Sequence, residues 1–360
     1  MKRSYLFIAA IIAVALLVSV PLFNTTKEDF STYNTGWNGA SRVKDLAASE
    51  GYATHDIFTL KEAGSSGNGV LIMLNPNKTV AVTSEDMSSL QTFVQNGGSL
   101  VLANDFGNVN AVLSGLGVAS SVRFNGALLS DNVSRGVDSA HPLVTNISPP
   151  SGLTAGVHTL YFNYGTALDI SASNVTVLAQ SSPTSYLRAS TGQNAPITGS
   201  TGAHPVLASV AYGKGRIILL SDPSVFINGM LDQADNQKLY TSVLANLTGG
   251  NTAVPILFDQ SYRTSQPLWS LAYDRINADD NVKYTIILIS IAAFVIGINV
   301  ATLTRRRRTR AGSDEGPVNE EAAITDIIRT HPGWRRTRIK AILKQLQRRK
   351  RTETTHDNRK

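Results

Sequence analysis

Eight polar side chains fall where an α/β chain does its chemistry. Asn34, Asn38 and Ser41 lie in an early loop, Asn104, Asp105 and Asn108 follow one apolar run, and Ser221 and Asp222 follow another. Ligands of parallel α/β sheets bind beyond the carboxyl ends of the strands. If these loops converge, they form a polar cleft with two carboxylates and several amides, able to hold a sugar, a peptide end or a cation. The same residue types also cap helices and tie turns, which is their commoner work. A hydrolase using Asp105 or Asp222 is the alternative chemistry, but no G-x-S-x-G elbow accompanies Ser221 and no base is placed beside it. His55, His141, His158 and His204 are scattered. Their spacing does not suggest a metal site, and neither a metal nor another cofactor is expected. The chain holds no cysteine, which excludes disulfides, thiolate zinc sites and a cysteine nucleophile by composition.

Those side chains need a sheet to position them. Residues 70–74 (VLIML) and 99–103 (SLVLA) are continuous apolar runs of strand length, suited to a sheet covered on both faces. Between them, Thr83 with Asp86 three residues on predicts a helix start. Met87, Leu90, Phe93 and Val94 then recur along one face until Gly97 and Gly98. Residues 40–50 have helical spacing through Val43, Leu46 and Ala47, closed by Gly51. Residues 53–60 read as a short strand, 64–69 as a flexible loop and 108–116 as a short helix. Residues 206–212 and 216–220, joined by Gly213-Lys214-Gly215, predict an antiparallel hairpin. Asp235 opens a helix through Leu239, Val243 and Leu247 that Gly249 and Gly250 end. The expectation is an α/β domain over residues 30–250: a mostly parallel sheet flanked by helices, with an irregular β-rich insertion at 118–205. Within that insertion, residues 157–163 and 175–180 read as strands.

Two apolar runs bracket this domain. Residues 284–303 are 20 residues without charge, followed by Arg305, Arg306, Arg307 and Arg308. About 20 residues cover roughly the 30 Å hydrocarbon core of a bilayer, and a basic flank stays on the cytoplasmic side. Residues 4–23 follow Lys2 and Arg3 and read as an anchor or a signal peptide; Val18 and Val20 suit cleavage poorly, which favours an uncleaved anchor. The expectation is a two-pass cell-membrane protein with both termini cytoplasmic, the α/β domain outside, and residues 251–283 as a stalk. Six Asn-x-Ser/Thr sequons, at Asn24, Asn77, Asn132, Asn146, Asn174 and Asn246, all fall in the outer segment and are candidate glycosylation sites.

Charge divides along the same line. Residues 24–283 carry 14 Lys and Arg against 19 Asp and Glu, whereas residues 304–360 carry 17 against 7. The tail has apolar positions at Ala323, Ile324, Ile327 and Ile328 and, past His331-Pro332-Gly333, at Ile339, Ile342, Leu343 and Leu346. Two amphipathic helices with a Pro-Gly turn resemble the opening of a winged-helix DNA-binding unit, but no third helix or wing follows. Anionic membrane lipid is therefore the expected partner of the tail, with other envelope or membrane proteins for the whole chain; nucleic acid is disfavoured.

Three segments carry a family resemblance: Ser31-Thr32-Tyr33-Asn34-Thr35-Gly36-Trp37-Asn38-Gly39; Phe93-Val94-Gln95-Asn96-Gly97-Gly98-Ser99-Leu100-Val101-Leu102-Ala103 with Asn104-Asp105-Phe106-Gly107; and Gly213-Lys214-Gly215-Arg216-Ile217-Ile218 with Ser221-Asp222. Over residues 30–250 the chain resembles the domain of unknown function 4350 family, whose members are membrane-anchored and similar in fold to class I glutamine amidotransferases. The resemblance implies an amidotransferase-like, flavodoxin-like fold. Active amidotransferases use a cysteine thiolate assisted by histidine and glutamate. In a chain without cysteine the resemblance implies a non-catalytic binding or assembly role.

Overall fold

The apolar runs form strands, and one further strand joins them at the centre. The computed structural model describes residues 26–148, 152–192, 195–264 and 320–357. Residues 1–278 and 279–360 form two compact units, each described by itself. The first unit opens with helix α1 (Ser41–Ser49), strand β1 (Thr54–Ile57), helix α2 (Leu60–Ser65), strand β2 (Val70–Leu74), helix α3 (Ser84–Gln95), strand β3 (Ser99–Ala103) and helix α4 (Val109–Gly115). The insertion contributes the short strands β4 (Val122–Phe124), β5 (Leu128–Ser130), β6 (Leu143–Val144), β7 (Asn146–Ile147), β8 (Leu160–Tyr161), β9 (Leu168–Ile170), β10 (Val175–Gln180) and β11 (Tyr186–Arg188). The unit closes with β12 (Pro205–Tyr212), β13 (Gly215–Leu220), helix α5 (Asn236–Thr248) and β14 (Ile256–Asp259).

Eight strands make one sheet in the order β1-β14-β2-β3-β13-β12-β10-β7. Pairing is parallel from β1 through β13 and antiparallel from there to β7. Successive side chains on a strand point to opposite faces, so each apolar run feeds two cores. Val70, Ile72 and Leu74 pack with Val101, Ile218, Ile256 and Phe258 on one face, under α1, α5 and parts of the insertion. Leu71, Met73, Leu100, Leu102, Ile217, Leu219 and Leu257 pack on the other, under α2, α3 and α4. This double burial is why the strands read as unbroken apolar runs. Each fully buried Leu or Phe contributes about 1.5–3 kcal/mol.

Several expectations hold locally. Thr83 and Asp86 form the capping box of α3, with Asp86 N donating to Thr83 Oγ1 at 3.1 Å. Gly249, in left-handed conformation at φ 62°, closes α5. The hairpin of β12 and β13 is antiparallel as expected. Three expectations need correction. The stalk proposed at residues 251–283 is not one over its first part: β14 lies inside the parallel sheet between β1 and β2. Residues 60–65 are helical where strand and loop meet in the sequence reading, because Thr59 and Glu62 form another capping box. Only Leu160–Tyr161 of the expected strand at 157–163 is extended. The strand expected at 175–180 is observed as β10, which with β7 extends the sheet's antiparallel edge.

Both expected membrane spans, at 4–23 and 284–303, lie outside the described residues, as do Arg305 to Arg308. Among the described residues no helix is long and apolar enough to cross a membrane. The second unit shows helices α6 (Glu320–Thr330) and α7 (Arg336–Asp357), with Ile324 and Ile339 buried.

A central strand cannot be removed without exposing the edges of both neighbours. A soluble domain of residues 26–264 is expected to melt cooperatively, and one ending at residue 250 to show no cooperative transition by circular dichroism.

Candidate functional site

The carboxyl ends of β14, β2 and β3 open on a cleft of about 720 Å³, with loop 27–30 as its fourth wall. Each strand delivers polar residues as it leaves the core. After β2 come Asn75, Pro76 and Lys78; after β3, Asp105, Phe106 and Gly107; after β14, Arg263 and Thr264.

Arg263 joins these walls. Its Nη1 donates to the carbonyls of Asp29 at 3.2 Å and Asn75 at 3.3 Å, and its Nη2 donates to the Leu74 carbonyl. Its guanidinium lies 5.9 Å from the Phe30 ring centroid. Burial lowers the Arg263 pKa, while the charges of Asp259, Glu28 and Asp29 oppose that shift. Thr264 fixes the same loop, donating from its backbone N to Glu28 Oε1 at 2.8 Å. Upstream, Ser31 Oγ donates to Gln260 Oε1 at 2.9 Å.

Asn75 is the second joint. It takes φ 42°, a left-handed conformation that Asn tolerates better than most residues. Its backbone N donates to the Ala103 carbonyl at 2.7 Å, and its side chain hydrogen-bonds the Asp105 carboxyl. Burial pushes the Asp105 carboxyl up to about 6, against the pull of the Phe106 N–H, Lys78 and Asn75. Beside it, Asn75 Oδ1 and the buried Asn104 Oδ1 have no protein donor. Both oxygens, with the Pro76 carbonyl, crowd around Gly107, where a β-carbon would collide with all three. The two amide oxygens are thus closed off beside the cleft, two buried acceptors without a donor.

The structure brings only some of the expected residues to this cleft. Asp105 lines it and Asn104 lies buried beneath it. Asn108 holds the neighbouring turn instead, its backbone N donating to the Pro76 carbonyl at 2.8 Å. Asn34, Asn38 and Ser41 brace the first loop. Asn34 Nδ2 donates to Asn38 Oδ1 at 3.1 Å, and Asn38 Nδ2 donates to Asp29. Asn228 Nδ2 donates to the carbonyls of Asn34 and Gly36 and to Ser41 Oγ, at 3.0, 2.7 and 3.1 Å. Ser221 Oγ donates to the Thr166 carbonyl at 2.8 Å.

Asp222 is fully buried and caps the turn Pro223–Phe226. Its Oδ1 accepts from Ser224 N at 2.8 Å and its Oδ2 from Asn163 N at 2.5 Å. Burial pushes its carboxyl up to about 8, with the Asp105 charge adding to the shift and the amide donors opposing it. The two acids thus influence each other, but Asp222 has both oxygens engaged and does not line the cleft.

The remaining candidates are dispersed. Among the described residues no cluster of three His, Asp or Glu side chains is placed to share a metal ion. His55 and His158 are exposed, and His141 Nδ1 pairs with Asp138 Oδ1 at 2.7 Å. Of the sequons, Asn24 lies outside the described residues, and Asn132, Asn174 and Asn246 are exposed. Asn146 Nδ2 is engaged with Gln180 at 3.1 Å. Asn77 is at the cleft rim, its Oδ1 accepting from Thr79 N at 2.9 Å and Thr79 Oγ1 at 2.8 Å.

Sequence reasoning missed Asn75 and Arg263. Asn75 carried a usable signal, because it follows a buried run just as Asn104 does. Arg263 carried none while its strand was unrecognised.

A model of the family described as domain of unknown function (DUF4350) matches residues 32–244. No curated protein matches the chain. Among solved structures, the mmIFT52 N-terminal domain is similar at 16% identity and a TM-score of 0.42, covering 54% of this chain and 82% of its own. A beta-galactosidase from Bacillus circulans sp. alkalophilus is similar at 13% identity and a TM-score of 0.32, over 52% of this chain; this chain spans only 23% of the galactosidase's length. Cytoplasmic Protein STM3548 from Salmonella typhimurium is similar at 14% identity and a TM-score of 0.33, over 59% of this chain and 78% of its own.

The raised acids make stability depend on pH. A carboxyl whose folded value exceeds its ordinary 3.8 holds its proton in the folded state after the unfolded chain has lost it. The stabilisation is complete below about pH 4 and is lost as pH rises through about 6 for Asp105 and about 8 for Asp222, at up to about 1.4 kcal/mol per pH unit for each group. Urea denaturation of the domain from pH 4 to 9 is expected to show this decline, and Asp105→Asn to flatten its part between about pH 4 and 6.

Proposed function

The chain belongs to the domain of unknown function (DUF4350) family, and from that premise we propose that it is a membrane-anchored binding module whose cleft, at the ends of β14, β2 and β3, takes a small ligand rich in hydrogen-bond donors. One observation carries this reading: Asn75 Oδ1, Asn104 Oδ1 and the Pro76 carbonyl converge at Gly107 beside Asp105, with no protein donor for the two amide oxygens. Buried acceptors left without a donor cost about 1–3 kcal/mol each, so a ligand that enters beside Asn75 and Asp105, opens that wall and supplies donors to the two oxygens is favoured. Sugar hydroxyls, a peptide amino end or a hydrated cation all meet that description.

The fold has the amidotransferase-like character in this reading. Parallel strands alternating with helices support it, and the absence of cysteine from the chain excludes glutamine hydrolysis by a thiolate. The alternative, a hydrolase using Asp105 or Asp222, has only Asp105 at the cleft, since Asp222 caps the Pro223–Phe226 turn. Anchorage rests on the apolar runs at 4–23 and 284–303 and on Arg305 to Arg308, which favour two spans with the domain outside and the tail inside. Other envelope proteins remain its proposed macromolecular partners.

Two experiments test these claims. Calorimetric titration with N-acetylglucosamine, triglycine and calcium chloride is expected to show binding of one of them, weakened roughly 10- to 100-fold by Asp105→Asn through loss of a charged hydrogen bond. Silence with all three, or an Asp105→Asn variant that binds equally well, contradicts the cleft. Protease added to sealed cells is expected to digest residues 26–264 and spare the tail; the opposite pattern contradicts the orientation.

A further inference from the structure

The tail hairpin sorts its charges onto different sides. Glu321 on α6 takes Arg336 at 2.6 Å and Lys340 at 3.4 Å. These two cations, four residues apart, share one side of α7. Ile339, three residues after Arg336 and four after Arg335, is buried between that side and the next. A second set of residues lies elsewhere on the helix. Arg335, Arg338, Ile342 and Leu346 recur at three- and four-residue steps, which places them in one stripe. Ile342 and Leu346 are exposed, and so is Trp334, which stacks on His331 with centroids 5.1 Å apart at the corner of the hairpin. Trp334, Arg335, Arg338 and Ile342 line one groove of about 830 Å³.

We infer that this stripe is a docking face for the anionic surface of a lipid bilayer, with Trp334, Ile342 and Leu346 entering the interface and Arg335 and Arg338 meeting lipid phosphates. The inference rests on the anchored reading above, which puts the tail within reach of the membrane. Three features select this occupant. Residues 304–360 carry 17 basic against 7 acidic side chains, a charge complementary to anionic headgroups. The large apolar side chains alternate with arginines on one face, the pattern of helices that lie in a bilayer interface; a nucleic-acid phosphate backbone would leave Ile342 and Leu346 without a use. A second copy of the hairpin would set Arg335 and Arg338 against like charges.

Trp334 reports the contact directly. The full chain carrying Trp37→Phe and Trp269→Phe keeps Trp334 as its single tryptophan. It would be placed in lipid nanodiscs of phosphatidylcholine alone and of phosphatidylcholine with phosphatidylglycerol. In the anionic discs Trp334 emission is expected to shift to the blue and acrylamide quenching to fall at least about twofold, and high salt to reverse both changes. Arg335→Gln with Arg338→Gln is expected to weaken docking roughly 30-fold, at about fivefold for each charge removed near an anionic surface. Both side chains are exposed, so helicity by circular dichroism should be unchanged. Equal emission and quenching in the two kinds of disc overturns the proposal, as does protection of Trp334 by duplex DNA but not by anionic lipid. A chain that enters neither disc refutes the anchored reading on its own. The docking face is then read with the soluble chain and vesicles of the same two compositions, where a shift with anionic vesicles alone upholds it and no shift rejects it.

Discussion

A single buried guanidinium holds the mouth of this α/β domain together. Arg263 leaves the last strand of the sheet and donates to the carbonyls of Asp29, Leu74 and Asn75, so loop 27–30, the end of β2 and the end of β14 meet at one side chain. Burying a cation is costly unless its donors are used and counter-charges are near. Here the carbonyls take donors from Nη1 and Nη2 while Nε is left without a partner, and Asp259, Glu28 and Asp29 supply the charge. The cleft exists because those three segments cannot separate without leaving that cation unmatched. The placing of Asp105 follows from the same geometry, since Asn75 binds Arg263 through its carbonyl and Asp105 through its side chain.

The sheet explains why the joint falls where it does. Because β14 sits between β1 and β2, the chain that follows it must emerge at the carboxyl ends of its neighbours. Residues 260–264 then run beside loop 26–31 and loop 74–79, with Asn77 N donating to the Tyr262 carbonyl at 3.2 Å. Residues 263 and 264, within the segment expected to be a stalk, thus line the cleft.

The legible parts of the sequence were those with a local cause. Residues 70–74 and 99–103 announced buried strands because both faces of the sheet are covered, and Thr83 with Asp86 announced a helix because the cap is three residues long. Strand β14 has no such cause. It is a four-residue run after Pro255, and its partners β1 and β2 lie some two hundred positions earlier in the chain, a pairing that no periodicity encodes. The insertion failed for a related reason: β6, β7 and β8 are two residues each, too short to alternate. At the site, Asp105 was found because a polar residue after a buried run stands at a strand end. For Asn34, Asn38 and Ser41 the sequence left cleft lining and turn-tying both open, because Asn228, which binds that loop, lies nearly two hundred residues away.

If Arg263 unites the cleft walls, removing its charge must loosen distant segments together. Amide hydrogen exchange of an Arg263→Met domain measures this directly. The account predicts that residues 27–30 and 75–79 both exchange at least about tenfold faster, the loss of one or more hydrogen bonds of about 1.4 kcal/mol, while β2, β3 and β13 keep their protection. Unchanged exchange in both segments, or acceleration in only one of them, would contradict it.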